Sequence, residues 1–415
     1  MTLLNIKNLA TNGKIDDPMV IKSCTETQKW KISALTPKKL AEKLGNQLVN
    51  FRIGTIKKDD IQWENECQYI KASMSEFLDW NDSKFTSEPF SKLDRSENWA
   101  YADYIYIKDL FKNVPDFKFT DEIDWTLLGF DPDEGLDAAI WVGTKSSHTA
   151  CHYDSYGFNL VYQVFGRKRW ILFPPSDSEN VYPTRLPYEE SSVFSQVNML
   201  NPDVNKHKRF SRAHPYIVTL EPGDLLFVPH HWWHFVENLE LSISINAWFP
   251  LEQDYHCRLH EAVTQLLIQT VTQSDPSLSQ WLISKHQTPT FNEGLSIVEQ
   301  ALTTSEDFSI VEKTDRKTAK SSETPKKCLC NIAQRSAILN TENCYIPASY
   351  CIEHLASVFE HWTHVKSWNQ NALKEARQKR CRLDRPQLTS NDFARCLTAP
   401  SVVECIVSEL YRQFE

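Results

Sequence analysis

Hydrophobic and polar positions follow two different periods over the first hundred residues of this chain. Thr36-Pro-Lys-Lys-Leu-Ala-Glu-Lys-Leu44 predicts a capped amphipathic helix with Pro37 in its first turn. Ala72 to Trp80, with Phe77 and Trp80 three apart, predicts a second helix. Between them Asn50-Phe-Arg-Ile-Gly-Thr-Ile56 alternates as a strand does. From about 100 to 250 short strand-like runs dominate: Tyr101–Ile107, Ala138–Val142, Asn159–Phe165, Arg167–Phe173, Leu225–Val228 and Ser242–Trp248. Gly166 between two of these runs reads as a hairpin turn. Pro174-Pro175 stops the second run, and Glu221-Pro-Gly-Asp224 reads as another turn. Many short strands without intervening helices predict a barrel or jelly roll.

After Pro250 the period becomes helical, with Leu259, Ala262, Val263, Leu266, Leu267 and Val271 on one face, and helices are expected to about 300. Residues 303–341 are polar and aperiodic, which predicts a linker or disordered loop. Helical patterns resume over 348–378 and 390–413, with Ser390 as an N-cap. The expected organisation is an N-terminal mixed α/β flank (1–99), a barrel (100–265), a helical extension (266–302), the polar linker (303–341) and a C-terminal helical segment (342–415). The apolar stripes of that last segment (Leu355, Val358, Phe359, Trp362; Phe393, Leu397, Val402, Val403, Ile406, Leu410) must pack either on the barrel's own helices or on another chain. The segment is expected to serve partner binding or assembly and not catalysis. A chain ending near Phe308 is expected to keep its turnover, and the helices after 250 could pair with a second copy.

Composition sharpens this picture. At 415 residues there is room for two or three domains, or for one large domain with a tail. A 12% aromatic content fits an aromatic-rich β-domain. The net charge of −9 argues against general affinity for nucleic-acid backbones. Cysteines number 11, an odd count, and are scattered. The start has no charged-then-apolar leader pattern and no apolar run is long enough to span a membrane. The expectation is a reducing compartment with free thiols, hence a cytoplasmic chain. Lys374 to Arg382 is a basic cluster, read first as a solvated helix face and second as a nuclear signal or phosphate-binding patch. Cys328-Leu-Cys330 has no second pair at zinc spacing, and His361 and His364, three apart, have no third ligand nearby.

The chemistry concentrates in His148-Thr-Ala-Cys-His152-Tyr-Asp154 and in Trp232-Trp-His234. Residues two apart on a strand share a face, so His152 and Asp154 can aim into a barrel mouth with Tyr153 turned away. With His234 they make the ligand set of a 2-His-1-carboxylate iron site, which leaves one face of the metal open. His230 and His231 compete with His234 as second choices. A bland alternative is a core histidine bonded to a neighbour. A cupin isomerase or binding protein is the rival for the whole barrel, but it would present more histidines.

On these residues the span from about Trp99 to Phe249 resembles the JmjC oxygenases of the asparaginyl-hydroxylase-like branch. His152-Tyr-Asp154, Gly166-Arg-Lys168-Arg-Trp-Ile-Leu-Phe-Pro-Pro175, Trp232-Trp-His234 and Asn246-Ala-Trp248 carry the resemblance. Trp99-Ala-Tyr-Ala-Asp-Tyr104, Tyr182 to Phe194 and Ser390-Asn-Asp-Phe-Ala-Arg-Cys-Leu extend it to the JmjC proteins associated with small heat-shock proteins, over most of the chain outside 303–341.

The resemblance implies a mainly β fold, a double-stranded β-helix of the cupin type with helical flanks. It implies Fe(II), 2-oxoglutarate as co-substrate and dioxygen, with His152, Asp154 and His234 as metal ligands. Lys168 matches the lysine that pairs with the distal carboxylate of 2-oxoglutarate, consistent with the need of a buried dianion for a cation. Arg167 and Arg169 lie on the opposite face as a solvated pair. Thr149 and Tyr106 match further co-substrate contacts, Asn159 and Asn246 match amides lining the pocket, and Trp248 matches an aromatic wall. The expected activity is hydroxylation of a protein side chain, with a small heat-shock protein as a partner. A weakly catalytic interaction protein and a tRNA-base hydroxylase are the alternatives, the last disfavoured by the acidic charge. The insertion Tyr182–Phe194 reads equally as a substrate lip or a covering loop.

Overall fold

The computed structural model describes residues 5–12, 15–83, 88–115, 117–274, 289–315, 344–365 and 390–414. The basic cluster at 374–382, Cys328, Cys330 and residues 316–341 of the expected linker lie outside them.

Local signals place the first elements. Thr36 accepts from the Lys39 amide at 3.2 Å and opens the helix Pro37–Leu44. Ser73 and Glu76 form a reciprocal capping box at the head of Met74–Asn81, with the Glu76 carboxylate accepting from the Ser73 amide at 2.7 Å.

Fifteen strands are found among the described residues. They are β1 (Met19–Ile21), β2 (Leu48–Thr55), β3 (Gln68–Ser73), β4 (Asn98–Tyr106), β5 (Ala139–Gly143), β6 (His148–Asp154), β7 (Phe158–Phe165) and β8 (Lys168–Phe173). There follow β9 (Pro183–Glu189), β10 (Ser192–Ser195), β11 (Tyr216–Leu220), β12 (Leu225–Val228), β13 (Trp233–Asn238), β14 (Ser242–Phe249) and β15 (Cys344–Tyr345). The larger sheet runs β15-β1-β12-β7-β14-β5-β4-β2-β3 and the smaller β11-β8-β13-β6-β10-β9. Strands β5 to β8 and β11 to β14 therefore interleave between two facing sheets, which is a double-stranded β-helix. The fold is mainly β with helical flanks.

The interleaving corrects the hairpin expected at Gly166. β7 pairs with β12 and β14, whereas β8 pairs with β11 and β13. Gly166 is a corner between sheets. It sits at φ 63°, and a Cβ there would lie 2.1 Å from the Leu241 carbonyl oxygen. Tyr182–Phe194 is likewise not a loop, because β9 and most of β10 occupy it and extend the smaller sheet beside β6. The N-terminal residues are built into the barrel, with β1 pairing with β12 and β2 with β4.

The helix Asp254–Ser274 packs against Phe291–Asp315. The latter runs on through positions 303–315, where polar composition pointed to a linker.

The C-terminal stripes pack within the chain. Leu355, Phe359 and Trp362 are buried in one cluster with Phe173, Trp233 and Phe235 on the outer face of the smaller sheet. Val403 and Val407 are buried against Leu259 and Val263. Val358, grouped with the first stripe, is 60% exposed instead. Trp362 is fully buried and donates to the Met199 carbonyl at 3.1 Å. Trp362→Ala should lower unfolding free energy by about 3–5 kcal/mol. The denaturant midpoint reads this, and an unchanged midpoint would show that the segment is not part of the folded unit. For the same reason a chain cut near Phe308 is expected to be less stable than the full chain.

Candidate metal centre and co-substrate pocket

Within the barrel, β6 and β13 bring the two histidines together. His152 and His234 are direct cross-strand partners, with ring centroids 4.3 Å apart. His152 Nδ1 faces the Ala150 carbonyl at 2.8 Å and His234 Nδ1 faces the Trp232 carbonyl at 3.0 Å. Each Nδ1 therefore carries the proton, and each Nε2 keeps its lone pair for a metal. Burial first, and then the neighbouring His234, push His152 down to about 4, so it stays neutral and ready to ligate.

Asp154 Oδ1 lies 3.6 Å from His152 Nε2, and the ligand atoms of the three residues all fall within 4.8 Å of one another. The Trp248 indole donates to Asp154 Oδ2 at 2.8 Å and so orients the carboxylate. Tyr153 points the other way and packs edge-on against Trp233. Two imidazoles and one carboxylate on one face are a donor set that suits Fe(II).

The triad opens into a pocket that is also lined by Tyr101, Tyr104, Trp141 and Trp170. At another part of its wall sits Lys168, 1% exposed. Its ammonium donates to Ser244 Oγ at 2.6 Å and to the Tyr101 hydroxyl at 3.1 Å. Burial pushes Lys168 down to about 7, against a weaker upward pull from Asp103. Among the described residues it makes no ion pair. A buried cation held only by hydroxyls and aimed into a cavity fits a carboxylate that arrives with a ligand.

Thr149 lines the same wall because β6 carries an extra residue opposite β13 between His152 and Thr149. Its hydroxyl is a partner of the Tyr101 hydroxyl. Asn246 donates to Asn159 Oδ1 at 3.0 Å and accepts from the Trp141 indole at 2.7 Å, so both amides line the pocket in one chain of bonds.

Tyr106 does not reach the pocket. It is 45% exposed and lies beside Lys108, while Tyr101 and Tyr104 line the cavity. An extra residue in β4 between Ala102 and Ile105, with Tyr104 at φ 51°, breaks the alternation that would have carried the pattern through. Ser244, Tyr101 and Trp141 went unassigned from sequence. Ser244 was accessible, because it shares a face with Asn246 on β14. Arg169 is also not a solvated residue, since it pairs with Glu237 and stacks over Phe359 of the C-terminal segment at 4.6 Å. Arg167 pairs with Glu240 at the surface.

His230 and His231 are turned away from the triad, toward the carbonyls of Gly157 and Ser155 and toward Cys257. His361 and His364 belong to neither of the two ligand clusters found among the described residues.

Behind the pocket the Arg52 guanidinium braces β2, β4 and β6. It donates to Asp103 at 2.5 Å and to the His148 carbonyl at 3.0 Å, with Glu64 at 3.5 Å. Burial pushes the Glu64 carboxyl up to about 7 in spite of Arg52.

A double-stranded β-helix holding two histidines and an aspartate inside its mouth is the architecture of a cupin-type metal protein. The cupin-like domain matches residues 14–255, and the chain belongs to that family, in its JmjC branch. It is 46% identical over 257 residues to "HSPB1-associated protein 1" of Rattus norvegicus, covering 61% of this chain and 53% of that protein. The same-named Homo sapiens protein is 45% identical over 248 residues, covering 59% and 50%. "Lysine-specific demethylase 8" of Danio rerio is 34% identical over 182 residues, covering 40% and 43%. The chain spans about half the length of the curated relatives it matches. Among the described residues no helix is long and apolar enough to cross a membrane.

Proposed function

We propose that this chain is an Fe(II)- and 2-oxoglutarate-dependent oxygenase that hydroxylates a protein side chain. The observation that carries the reading is the buried Lys168 ammonium sharing one cavity with His152, Asp154 and His234. When bound, Fe(II) with 2-oxoglutarate and dioxygen supplies the oxidising power to hydroxylate an unactivated C–H bond.

The chain's own residues then have distinct tasks. His152, Asp154 and His234 hold the metal, and Trp248 keeps Asp154 turned toward it. Lys168, Ser244, Tyr101 and Thr149 receive the distal carboxylate. Val161, Trp170 and Val236 keep that end of the cavity dry, which strengthens the charge contact. In the smaller sheet Glu189 flanks Ser192 on the side opposite Asp154. Burial and the nearby Glu64 and Asp154 push its carboxyl well above the usual range, and one of its oxygens is buried without a described partner.

A second reading has the chain bind a small heat-shock protein through surfaces outside the pocket. The name of the relatives at 45–46% identity favours it, and it is compatible with the first. The test is succinate release by the purified chain with Fe(II) and 2-oxoglutarate, with and without a small heat-shock protein. Asp154→Ala serves as background. A wild-type rate no higher than that background, with both iron and 2-oxoglutarate shown to be bound, overturns the oxygenase reading and leaves the binding one.

The state of Lys168 adds a pH dependence. The free ammonium loses its proton near 7, and an anion beside it raises that value. Affinity for 2-oxoglutarate should therefore be flat below about pH 7. Above it, affinity should fall by up to about tenfold per pH unit until the bound-state value is reached. Calorimetry in buffers of different ionisation enthalpy should show proton uptake on binding near pH 8. Binding that is flat across this range would mean that Lys168 is already charged throughout.

A further inference from the structure

The turn Pro229–Trp232, which feeds the chain into β13, holds His230 and His231 with their rings stacked at 3.6 Å. His231 adopts φ 60°, and this brings its ring beside its neighbour's instead of to the opposite side. Cys257, near the start of the helix Asp254–Ser274, faces both. Its sulfur lies 3.8 Å from His230 Nε2 and 3.6 Å from His231 Nε2. The three ligand atoms lie within 4.8 Å of one another, and all three residues are half-buried.

These spacings are informative. A tetrahedral ion with metal–nitrogen bonds of about 2.0–2.1 Å and a metal–sulfur bond of about 2.3 Å sets nitrogen and sulfur roughly 3.6 Å apart. The two observed nitrogen–sulfur separations are close to that span, and the stacked rings must swing apart for both Nε2 lone pairs to meet one ion.

The surroundings support ligation. His230 Nδ1 faces the Gly157 carbonyl at 2.9 Å, and Asp254 Oδ1 stands 3.9 Å from the same nitrogen. That arrangement puts the proton on Nδ1 and leaves the Nε2 lone pair toward the thiol. Asp254 is itself fixed by the amides of Gly157 and Leu251, each at 2.9 Å. The competing contact is His231 Nε2 to the Ser155 carbonyl, at 3.3 Å, longer than a good N–H···O bond.

We propose that His230, His231 and Cys257 form a second metal site, separate from the triad, for a thiophilic cation, Zn(II) or Cu(I). Its thiolate and two imidazoles leave one position open to solvent. Binding forms two metal–nitrogen bonds and one metal–sulfur bond, and the Cys257 proton leaves to solvent. Ligand chemistry keeps the two sites apart, since the thiolate selects a soft ion and the oxygen-bearing triad a harder one. The site also joins three pieces around the triad: the turn three residues before His234, the loop just after Asp154, and the helix Asp254–Ser274. It stands whether or not the oxygenase reading holds.

The test uses the full chain, stripped by chelator and titrated with Co(II) without oxygen. A thiolate-to-cobalt charge-transfer band in the near ultraviolet should appear and saturate, at one equivalent when the triad is disabled by Asp154→Ala. Cys257→Ser should remove the band, and His230→Gln should weaken cobalt binding at least tenfold. Asp154→Ala should leave both unchanged. Zn(II) and Cu(I) are then added separately, and the cognate ion is the one that abolishes the band at one equivalent. In an Asp154→Ala background, which disables the triad, added metal should raise the melting temperature, and it should not do so when Cys257→Ser is combined with it. If the metal-free Cys257→Ser chain melts lower than the metal-free wild type, His230→Gln carries the comparison. A wild-type titration without the band, or an equal band in Cys257→Ser, overturns the proposal and leaves a metal-free hydrogen-bonded cluster.

Discussion

Replacing His152 or His234 by alanine is expected to weaken Fe(II) binding by well over a hundredfold and to remove 2-oxoglutarate turnover. Losing a mere hydrogen-bond partner of a ligand typically costs about 10–100-fold in metal affinity, and here a ligand itself is lost. Two donors remain in each variant, and neither cavity wall offers a replacement. His230 and His231, the imidazoles nearest His234 in sequence, face Cys257 instead. The graded control is Trp248→Phe, which removes only the 2.8 Å bond to Asp154 Oδ2. It should cost roughly 10–100-fold in metal affinity, within the range for outer partners. Metal content after dialysis against a weak chelator, alongside the succinate rate, measures both. Wild-type iron content in the alanine variants would sink the triad assignment.

Lys168→Met should leave the iron in place and weaken 2-oxoglutarate binding by roughly 30-fold to several thousandfold. That range corresponds to about 2–5 kcal/mol for removing one partner of a buried charged pair. Methionine keeps the volume and the apolar stem, so the barrel loses the charge and not its packing. Removing an ammonium that sits fully buried also removes a desolvation cost. The apo variant should therefore be as stable as the wild type or more so, while its co-substrate affinity collapses. Arg169→Ala is the contrast. Its guanidinium is on the other face of β8 and touches Glu237 and Phe359, so it should lower stability without changing 2-oxoglutarate affinity. Unchanged affinity in Lys168→Met would show that another group receives the carboxylate.

How much of this was legible beforehand divides by physical cause. Features set by neighbours in sequence were readable. Thr36 and Ser73 cap helices through side chains three residues away, and His152, Asp154 and Tyr153 take their faces from the strand alternation. The family resemblance picked out Lys168, in agreement with the need of a dianion in a barrel for a cation. The family's motifs lie in the strands that face the pocket, so the resemblance pointed to the right walls.

What failed depended on partners distant in sequence. Gly166 looks the same whether it closes a hairpin or turns a corner, and only the pairing of β7 with β14 and of β8 with β13 decides. Tyr106 was misplaced because one extra residue in β4, defined only against β5, changes which side chains face inward. Thr149 reaches the pocket through an irregularity of β6 defined only against β13. The polar run at 303–315 continues a helix because Phe291–Asp315 has Asp254–Ser274 to lean on. Composition alone could not supply that partner.

The sequence by itself determined the donor chemistry: two histidines, an aspartate and a lysine of the right kinds at strand spacing. Residue type and local period are local properties, and a single chain carries them in full. The tertiary structure alone decided which of those donors converge. It set His234 across from His152, turned His230 and His231 onto a cysteine 26 residues further on, and gave Lys168 only hydroxyls for company. Those outcomes rest on cross-strand register and on burial, and both are properties of the assembled sheets.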